Sequence, residues 1–113
     1  MSMLLIFLKA VTSLAFVSAG IAKQARAKPL VEQFHDFRLP LEIMLFIGIL
    51  EILGAIALWF ESLTVWVLSA LAFLMLGALK NHIEARHPFT RMLPALALFC
   101  LCVWGALLAN WLN

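Results

Sequence analysis

Four long apolar runs divide this chain, and they limit its possible folds more than any other feature. They extend over residues 3–21, 41–60, 63–79 and 92–112. A helix crosses the hydrocarbon core of a bilayer, about 30 Å thick, with roughly 17 to 25 residues at about 1.5 Å each. The runs are continuous rather than alternating, and backbone polar groups in lipid must be paired, so helices are favoured over strands. We therefore predict four transmembrane helices.

The composition indicates the same environment. Hydrophobic side chains make up 65% of the 113 residues and charged ones 12%, against about 45–50% and about 25% in soluble domains. A soluble fold with this composition would have too few polar side chains to cover its surface. We predict an all-α integral membrane four-helix bundle, a single domain over residues 1–113, with helices at about 3–24, 41–60, 63–81 and 91–112.

The segment between the first two predicted helices, at about 28–38, has the pattern of a short helix lying in the membrane interface. Pro29 suits its first turn, and Pro40 ends it before the second membrane helix. The pattern separates an apolar face from a polar one, formed respectively by Leu30, Val31, Phe34, Phe37 and Arg38, and by Glu32, Gln33, His35 and Asp36. Two roles remain open for this segment, a connector on the membrane surface or a lid over the mouth of the bundle.

Basic residues predict the orientation of the bundle. Seven of the eight lie in or beside two connections, at Lys23, Arg26, Lys28, Arg38, Lys80, Arg86 and Arg91. The positive-inside rule places these connections in the cytoplasm and both termini outside. Acidic residues are interleaved with them and no base-stacking motif is present, so we expect contact with lipid headgroups and none with nucleic acid. The first run has no basic residue before it, which favours a retained helix over a cleaved signal peptide.

Two charged residues interrupt the apolar runs, Glu51 in the second and Lys9 in the first. Ionisable side chains within a bilayer face the bundle interior and usually have a partner. The helical rise places Lys9 at an axial offset of about 6 to 8 Å from Glu51, whereas Lys23 and Lys80 are on the order of 10 Å or more away. We therefore predict a buried pair of Lys9 and Glu51.

Further polar or small residues accompany this acid. Gly48 and Gly54 lie three residues to either side of Glu51, so a neighbouring backbone or a flat ligand can approach closely. His82 is placed near the end of the third helix, where it can meet a headgroup or a quinone ring. His82 and His87 lie five apart, a poor fit to two ligands on one helical face, so we expect no metal site.

Several short motifs, taken in order, resemble the DoxX-like membrane proteins. They are FVSAGIAK at 16–23, LP at 39–40, GILEILGAIALW at 48–59 and GALKNH at 77–82. The resemblance implies a four-helix protein of the bacterial inner membrane. Its recurring polar positions fall here at Gly20, Lys23, Gly48, Glu51 and Gly54. Members of this family are associated with quinone-linked oxidation of thiosulfate, membrane oxidoreductase assemblies, resistance to quinones and thiol stress, and receptor assembly in distant animal relatives.

Three functions remain open. The first is a membrane subunit of a quinone-linked oxidoreductase or detoxification assembly, with a quinone bound near Glu51 and a partner that supplies the redox centre, because the chain has no cofactor motif of its own. The second is a scaffold or assembly factor in which a buried ion pair only fixes helix packing. The third is a small proton-coupled transporter. Small-residue faces also leave room for a homo-oligomer. The candidate ligand-binding or proton-linked residues are Lys9, Gly20, Lys23, Gly48, Glu51, Gly54 and His82.

Overall fold

The computed structural model describes residues 3–112, and this part of the chain is helical without any strand. The elements are α1 (Met3–Gln24), α2 (Lys28–Asp36), α3 (Leu41–Ala57), a 3-10 turn (Glu61–Leu63), α4 (Thr64–Glu84) and α5 (Phe89–Leu112). The prediction of an all-α protein is confirmed. Two boundaries differ from the expected ones by three residues: α3 stops at Ala57 rather than near 60, and α4 continues to Glu84 rather than ending near 81.

Helix length and composition give three to four membrane crossings. α1, α5, and α4 taken with its preceding 3-10 turn are long and apolar enough to cross a bilayer. α3 has 17 residues, at the lower limit of the roughly 17 to 25 that a crossing takes. It counts as a fourth crossing when joined to α2, from which it is bent by 117°. Pro40 explains the bend, because proline cannot continue the preceding helix and disfavours helical geometry at Leu39.

Three helices, α1, α2 and α4, end in the same way. Each is followed by an arginine in the left-handed region, Arg26 (φ 57°), Arg38 (φ 60°) and Arg86 (φ 59°). The next residue then donates its backbone N–H to a carbonyl five residues earlier, from Ala27 to Ala22, from Leu39 to Phe34 and from His87 to His82. This is the Schellman motif, in which the left-handed position is more often glycine. It reverses the chain sharply and places residues i and i+5 side by side.

The helices pack mainly as two pairs, α1 with α3 and α4 with α5. The α1–α3 contact is close, since a methyl group added to Gly20 would lie 2.6 Å from the carbonyl oxygen of Gly48. Two hydrogen bonds fix its register: Ser13 Oγ donates to the Ala55 carbonyl (3.2 Å) and Gln24 Nε2 to the Leu45 carbonyl (2.6 Å). Residues 13, 20 and 24 of α1 therefore lie opposite residues 55, 48 and 45 of α3.

The two ends of the bundle differ in composition. We call one the α2 end, formed by α2 and the connections at 25–27, 37–40 and 85–88. The other is the tryptophan end, which carries four exposed indole rings at Trp59, Trp66, Trp104 and Trp111. Indoles of this kind are enriched where a membrane meets water.

Candidate functional site

A cavity of about 300 Å³ lies at the α2 end, between α2 and the longer helices. Most of its wall is apolar, and its volume is near the lower limit of the roughly 300–1,000 Å³ typical of ligand pockets. Polar groups interrupt the wall at a few places. They belong to Lys23, Gln33, Glu51, Asn81, His82 and Arg91.

Helix α2 forms one wall of this cavity. Leu30, Gln33 and Phe34 line it, and Phe34 is buried. Of the two roles left open for this segment, the position over the cavity favours a lid. The predicted division into two faces is partly wrong, because Gln33 from the polar face lines the cavity and Val31 from the apolar face is exposed.

An ion pair lies at the wall of the cavity. Lys23 Nζ is 2.8 Å from Glu51 Oε1, and the two side chains are 11% and 1% exposed. Apart from Lys23, no hydrogen-bond donor among residues 3–112 reaches Oε1. The carboxylate is thus charge-compensated, but it keeps the capacity to accept a hydrogen bond from a bound molecule.

The predicted pair of Lys9 and Glu51 is wrong, because Lys23 is the partner. The prediction measured depth from the outer ends of the two helices as though those ends were aligned. The observed register instead places Glu51 roughly level with residue 17 of α1, about 12 Å along the axis from Lys9 and about 9 Å from Lys23.

The direction of the side chains closes the remaining distance to Lys23. A helical side chain leans toward the N-terminus of its own helix. Because α1 and α3 are antiparallel, Lys23 and Glu51 lean toward each other, whereas Lys9 leans away from Glu51. Lys9 is 3% exposed and its Nζ lies 6.0 Å from the centre of the Trp59 ring, at the tryptophan end.

The space beside the glycines near Glu51 is filled by neighbouring helices and not by a ligand site. Gly20 and Gly48 meet at the crossing of α1 and α3, and a methyl group on Gly48 would lie 2.9 Å from Cβ of Lys23. Gly54 faces α4, where an added methyl group would lie 3.0 Å from a terminal carbon of Leu71. The close approach of α1 therefore brings Lys23 within reach of Glu51.

A second polar cluster borders the cavity at His82, which is 2% exposed. Nδ1 of His82 lies 2.8 Å from Nδ1 of His87, and Nε2 of His87 lies 2.9 Å from Oδ2 of Asp36. Arg91 Nη1 is 3.6 Å from the same carboxylate oxygen. The rings of Phe37 and His82 pack nearly at right angles, with their centres 4.9 Å apart.

His82 was predicted as a site residue, but its connection to Asp36 was not. The prediction for the five-residue spacing of His82 and His87 assumed that both lie on one continuous helix. His87 instead follows the Schellman motif at the end of α4, and its backbone N–H donates to the His82 carbonyl at 3.0 Å. Pro88 was the available signal, since the residue before a proline is disfavoured in a helix.

The arrangement suits an apolar molecule that carries hydrogen-bonding groups, because apolar walls surround a few polar atoms capable of orienting it. Comparison with curated proteins and with solved structures finds no match. The model of the DoxX-like family matches residues 7–105, a range that includes Lys23, Glu51 and His82. The resemblance drawn from the short sequence motifs is thus confirmed, and the chain belongs to the DoxX-like family.

Proposed function

We propose that this DoxX-like membrane protein binds a quinone in the cavity at the α2 end and acts as a membrane subunit of a quinone-linked oxidoreductase or detoxification assembly. The observation that carries the proposal is an apolar cavity of about 300 Å³ with the buried Lys23 and Glu51 pair in its wall. A quinone combines an apolar ring with oxygens that require hydrogen-bonding partners, which matches this division of the wall.

The protein's part in such an assembly is to hold the ring and to exchange protons with it. Glu51 and His82 are the protonatable groups on the cavity wall that suit this task, and Lys23 supplies a fixed positive charge. We assign electron transfer to a partner oxidoreductase, because the sequence has no cofactor-binding motif of its own.

We also propose that the α2 end faces the cytoplasm of a bacterial cell and the tryptophan end faces outward. The sequence prediction counted Lys23 as a basic residue of a connection, but the positive-inside rule does not apply to it because it is buried in α1. The α2 end still carries four other basic residues, Arg26, Lys28, Arg38 and Arg86. These four support the same orientation when Lys23 is left out of the count.

Mild extraction from the native membrane, followed by organic extraction and mass spectrometry, tests the ligand. We expect a quinone to co-purify with the wild-type protein and to be depleted in Glu51→Gln, which keeps the side-chain volume but removes the charge. Glu42→Gln is the matched control, because Glu42 lies on the same helix but is exposed. Equal quinone content in all three samples contradicts a role for Glu51, and no quinone in the wild type contradicts the proposed function.

A scaffold is the second candidate, and the tight crossing of Gly20 and Gly48 beside the ion pair favours it. In a scaffold, the pair only fixes how α1 meets α3, and apolar residues of similar volume can replace it. The double variant Lys23→Met with Glu51→Leu separates the two functions. A scaffold keeps its co-purifying protein partners in this variant, whereas a quinone-binding subunit loses its quinone.

A further inference from the structure

When both histidines are neutral, the hydrogen bonds among Asp36, His87 and His82 can run in only one direction. An ionised carboxylate only accepts, so Nε2 of His87 donates to Asp36. A neutral imidazole has one donor and one acceptor nitrogen, so Nδ1 of His87 accepts and Nδ1 of His82 donates across the 2.8 Å contact. Nε2 of His82 is then an acceptor, and it is the ring nitrogen left to meet a ligand in the cavity that His82 lines.

One additional proton reverses this direction. When His87 is an imidazolium, both of its nitrogens donate, and Nδ1 of His82 must accept. The proton of His82 then resides on Nε2, which becomes a donor. The cavity wall at His82 thus offers an acceptor in one state and a donor in the other. A hydroquinone hydroxyl matches the first state, and a quinone carbonyl matches the second.

We propose that Asp36, His87 and His82 form a proton relay between solvent and the ligand; this rests on the proposed function. One of the two hydroxyl protons of a bound hydroquinone moves to Nε2 of His82, the Nδ1 proton of His82 moves to Nδ1 of His87, and the Nε2 proton of His87 moves to Oδ2 of Asp36. Asp36 releases this proton to water. The second hydroxyl proton follows the same path after His82 and His87 have returned to their first tautomers. Reduction of a quinone uses the same steps in reverse, and the electrons are exchanged with the partner oxidoreductase.

Burial along the relay supports this direction of transfer. His82 is 2% exposed and borders the cavity, the His87 side chain is 6% exposed, and the Asp36 side chain is 44% exposed. The relay therefore runs from the cavity wall to the surface at the α2 end.

Charged groups from three other elements lie near its ends. Arg91 of α5 places positive charge beside Asp36. Lys23 and Glu51, from α1 and α3, lie on the same cavity wall as His82 and compensate each other. Arg91 also lines the cavity, and Asp36 compensates its charge. The protonation of the two histidines therefore sets which hydrogen bond the ligand receives.

The relay predicts an unusual pH dependence of binding. As the pH rises, the relay loses its extra proton and His82 Nε2 becomes an acceptor, so the protein's preference for hydroquinone over quinone increases. Because one proton is linked to this preference, the ratio of the dissociation constants of quinone and hydroquinone changes by up to about tenfold per pH unit.

Binding of a short-chain benzoquinone and its hydroquinone to the protein in lipid nanodiscs tests the relay between about pH 5 and pH 8, where histidine titrates. We expect the pH dependence in wild type, its loss in His87→Gln, and its weakening in Asp36→Asn. His35→Gln is the control, since His35 is exposed on α2, and it should behave as wild type. A ratio independent of pH in wild type, or an equal slope in His87→Gln, overturns the relay.

Nitrogen NMR of protein labelled at its histidines shows which ring nitrogen carries the proton, and this test needs no ligand. At the upper end of this pH range, we expect the proton of His82 on Nδ1 and that of His87 on Nε2, with His35 as the reference. The opposite assignment for His82 overturns the relay even if the quinone binds. If the wild-type protein binds neither the quinone nor the hydroquinone, both the proposed function and the ligand step of the relay are overturned. The NMR spectrum then shows separately whether the two histidines have the tautomers that the relay requires.

Discussion

Two buried lysines on the same helix have different environments. Lys23 pairs with Glu51 beside the cavity, and Lys9 lies over the ring of Trp59 near the opposite end of α1. Both side chains lean toward the N-terminus of α1, as helical side chains do. For Lys23 this direction leads toward the carboxylate of the antiparallel helix, and for Lys9 it leads toward the tryptophan end. The helix direction therefore decides which lysine meets the buried acid.

The two ends of the bundle, where the two lysines lie, also differ in how the helices are held together. At the tryptophan end, Trp59 Nε1 donates to Ser13 Oγ at 2.9 Å, and Ser13 in turn donates to the Ala55 carbonyl. Thr64 Oγ1 closes the nearby turn by donating to the Leu58 carbonyl at 3.1 Å. These hydrogen bonds fasten α1, α3 and α4 together, whereas the α2 end has a cavity. We infer that the tryptophan end is structural and that function is concentrated at the α2 end.

The largest expected effect comes from Lys23→Met. Removing one member of a buried ion pair leaves the other charge uncompensated, which typically costs about 3–5 kcal/mol. We expect the free energy of unfolding to fall by roughly that amount, measured by denaturant titration in detergent micelles.

The double variant Lys23→Met with Glu51→Leu is the control for this effect. It removes both charges and should recover most of the lost stability, because apolar residues of similar volume can replace a buried pair without loss. If the double variant is as unstable as the single one, the loss does not come from an unpaired carboxylate, and the ion pair is not what distinguishes Lys23 from Lys9.

Much of the fold could be predicted from local sequence. Long apolar runs predicted the membrane helices, and Pro40 with an amphipathic pattern predicted a separate α2. The wrong pairing of Lys9 with Glu51 has a different origin. It needed the relative register of α1 and α3, and this depends on Gly20, Gly48 and the hydrogen bonds between the helices rather than on residue counts along one helix.

The site itself was predictable only in part. Lys23, Glu51 and His82 stood out as polar residues in an apolar chain and in the short family motifs. Asp36, His87 and Arg91 did not, because they looked like ordinary surface residues near helix ends. They come together only because Schellman motifs reverse the chain at the C-terminal ends of α2 and α4. Neither a helical nor a strand periodicity in the sequence predicts contacts between residues on the two sides of such a reversal.

A smaller effect is expected from Gly20→Ala, which tests the crossing that holds Lys23 in place. The added methyl group would lie 2.6 Å from the Gly48 carbonyl oxygen, so the helices must separate. Overpacking of this kind typically costs about 1–3 kcal/mol. We expect a lower thermal unfolding midpoint and, because Lys23 moves away from Glu51, weaker retention of the quinone.

Gly77→Ala is the matched control for this substitution. Nothing lies within 4 Å of a methyl group added to Gly77, and alanine in a helix interior is more stable than glycine by roughly 0.5–1 kcal/mol. We therefore expect an unchanged or slightly higher midpoint. Equal destabilisation by both substitutions would mean that helix propensity or the detergent, rather than the close crossing at Gly20, determines the result.

The smallest effect is expected from Lys9→Met, the counterpart of the first substitution. Methionine loses the attraction between the ammonium and the Trp59 ring, worth about 0.5–2 kcal/mol, but it also removes a desolvated charge that opposes this loss. We therefore expect the free energy of unfolding to change by less than about 2 kcal/mol, with quinone content unchanged. The same denaturant titration and mass spectrometry measure both quantities. A loss of stability as large as that of Lys23→Met, or loss of the quinone, would show that the two lysines are not functionally distinct.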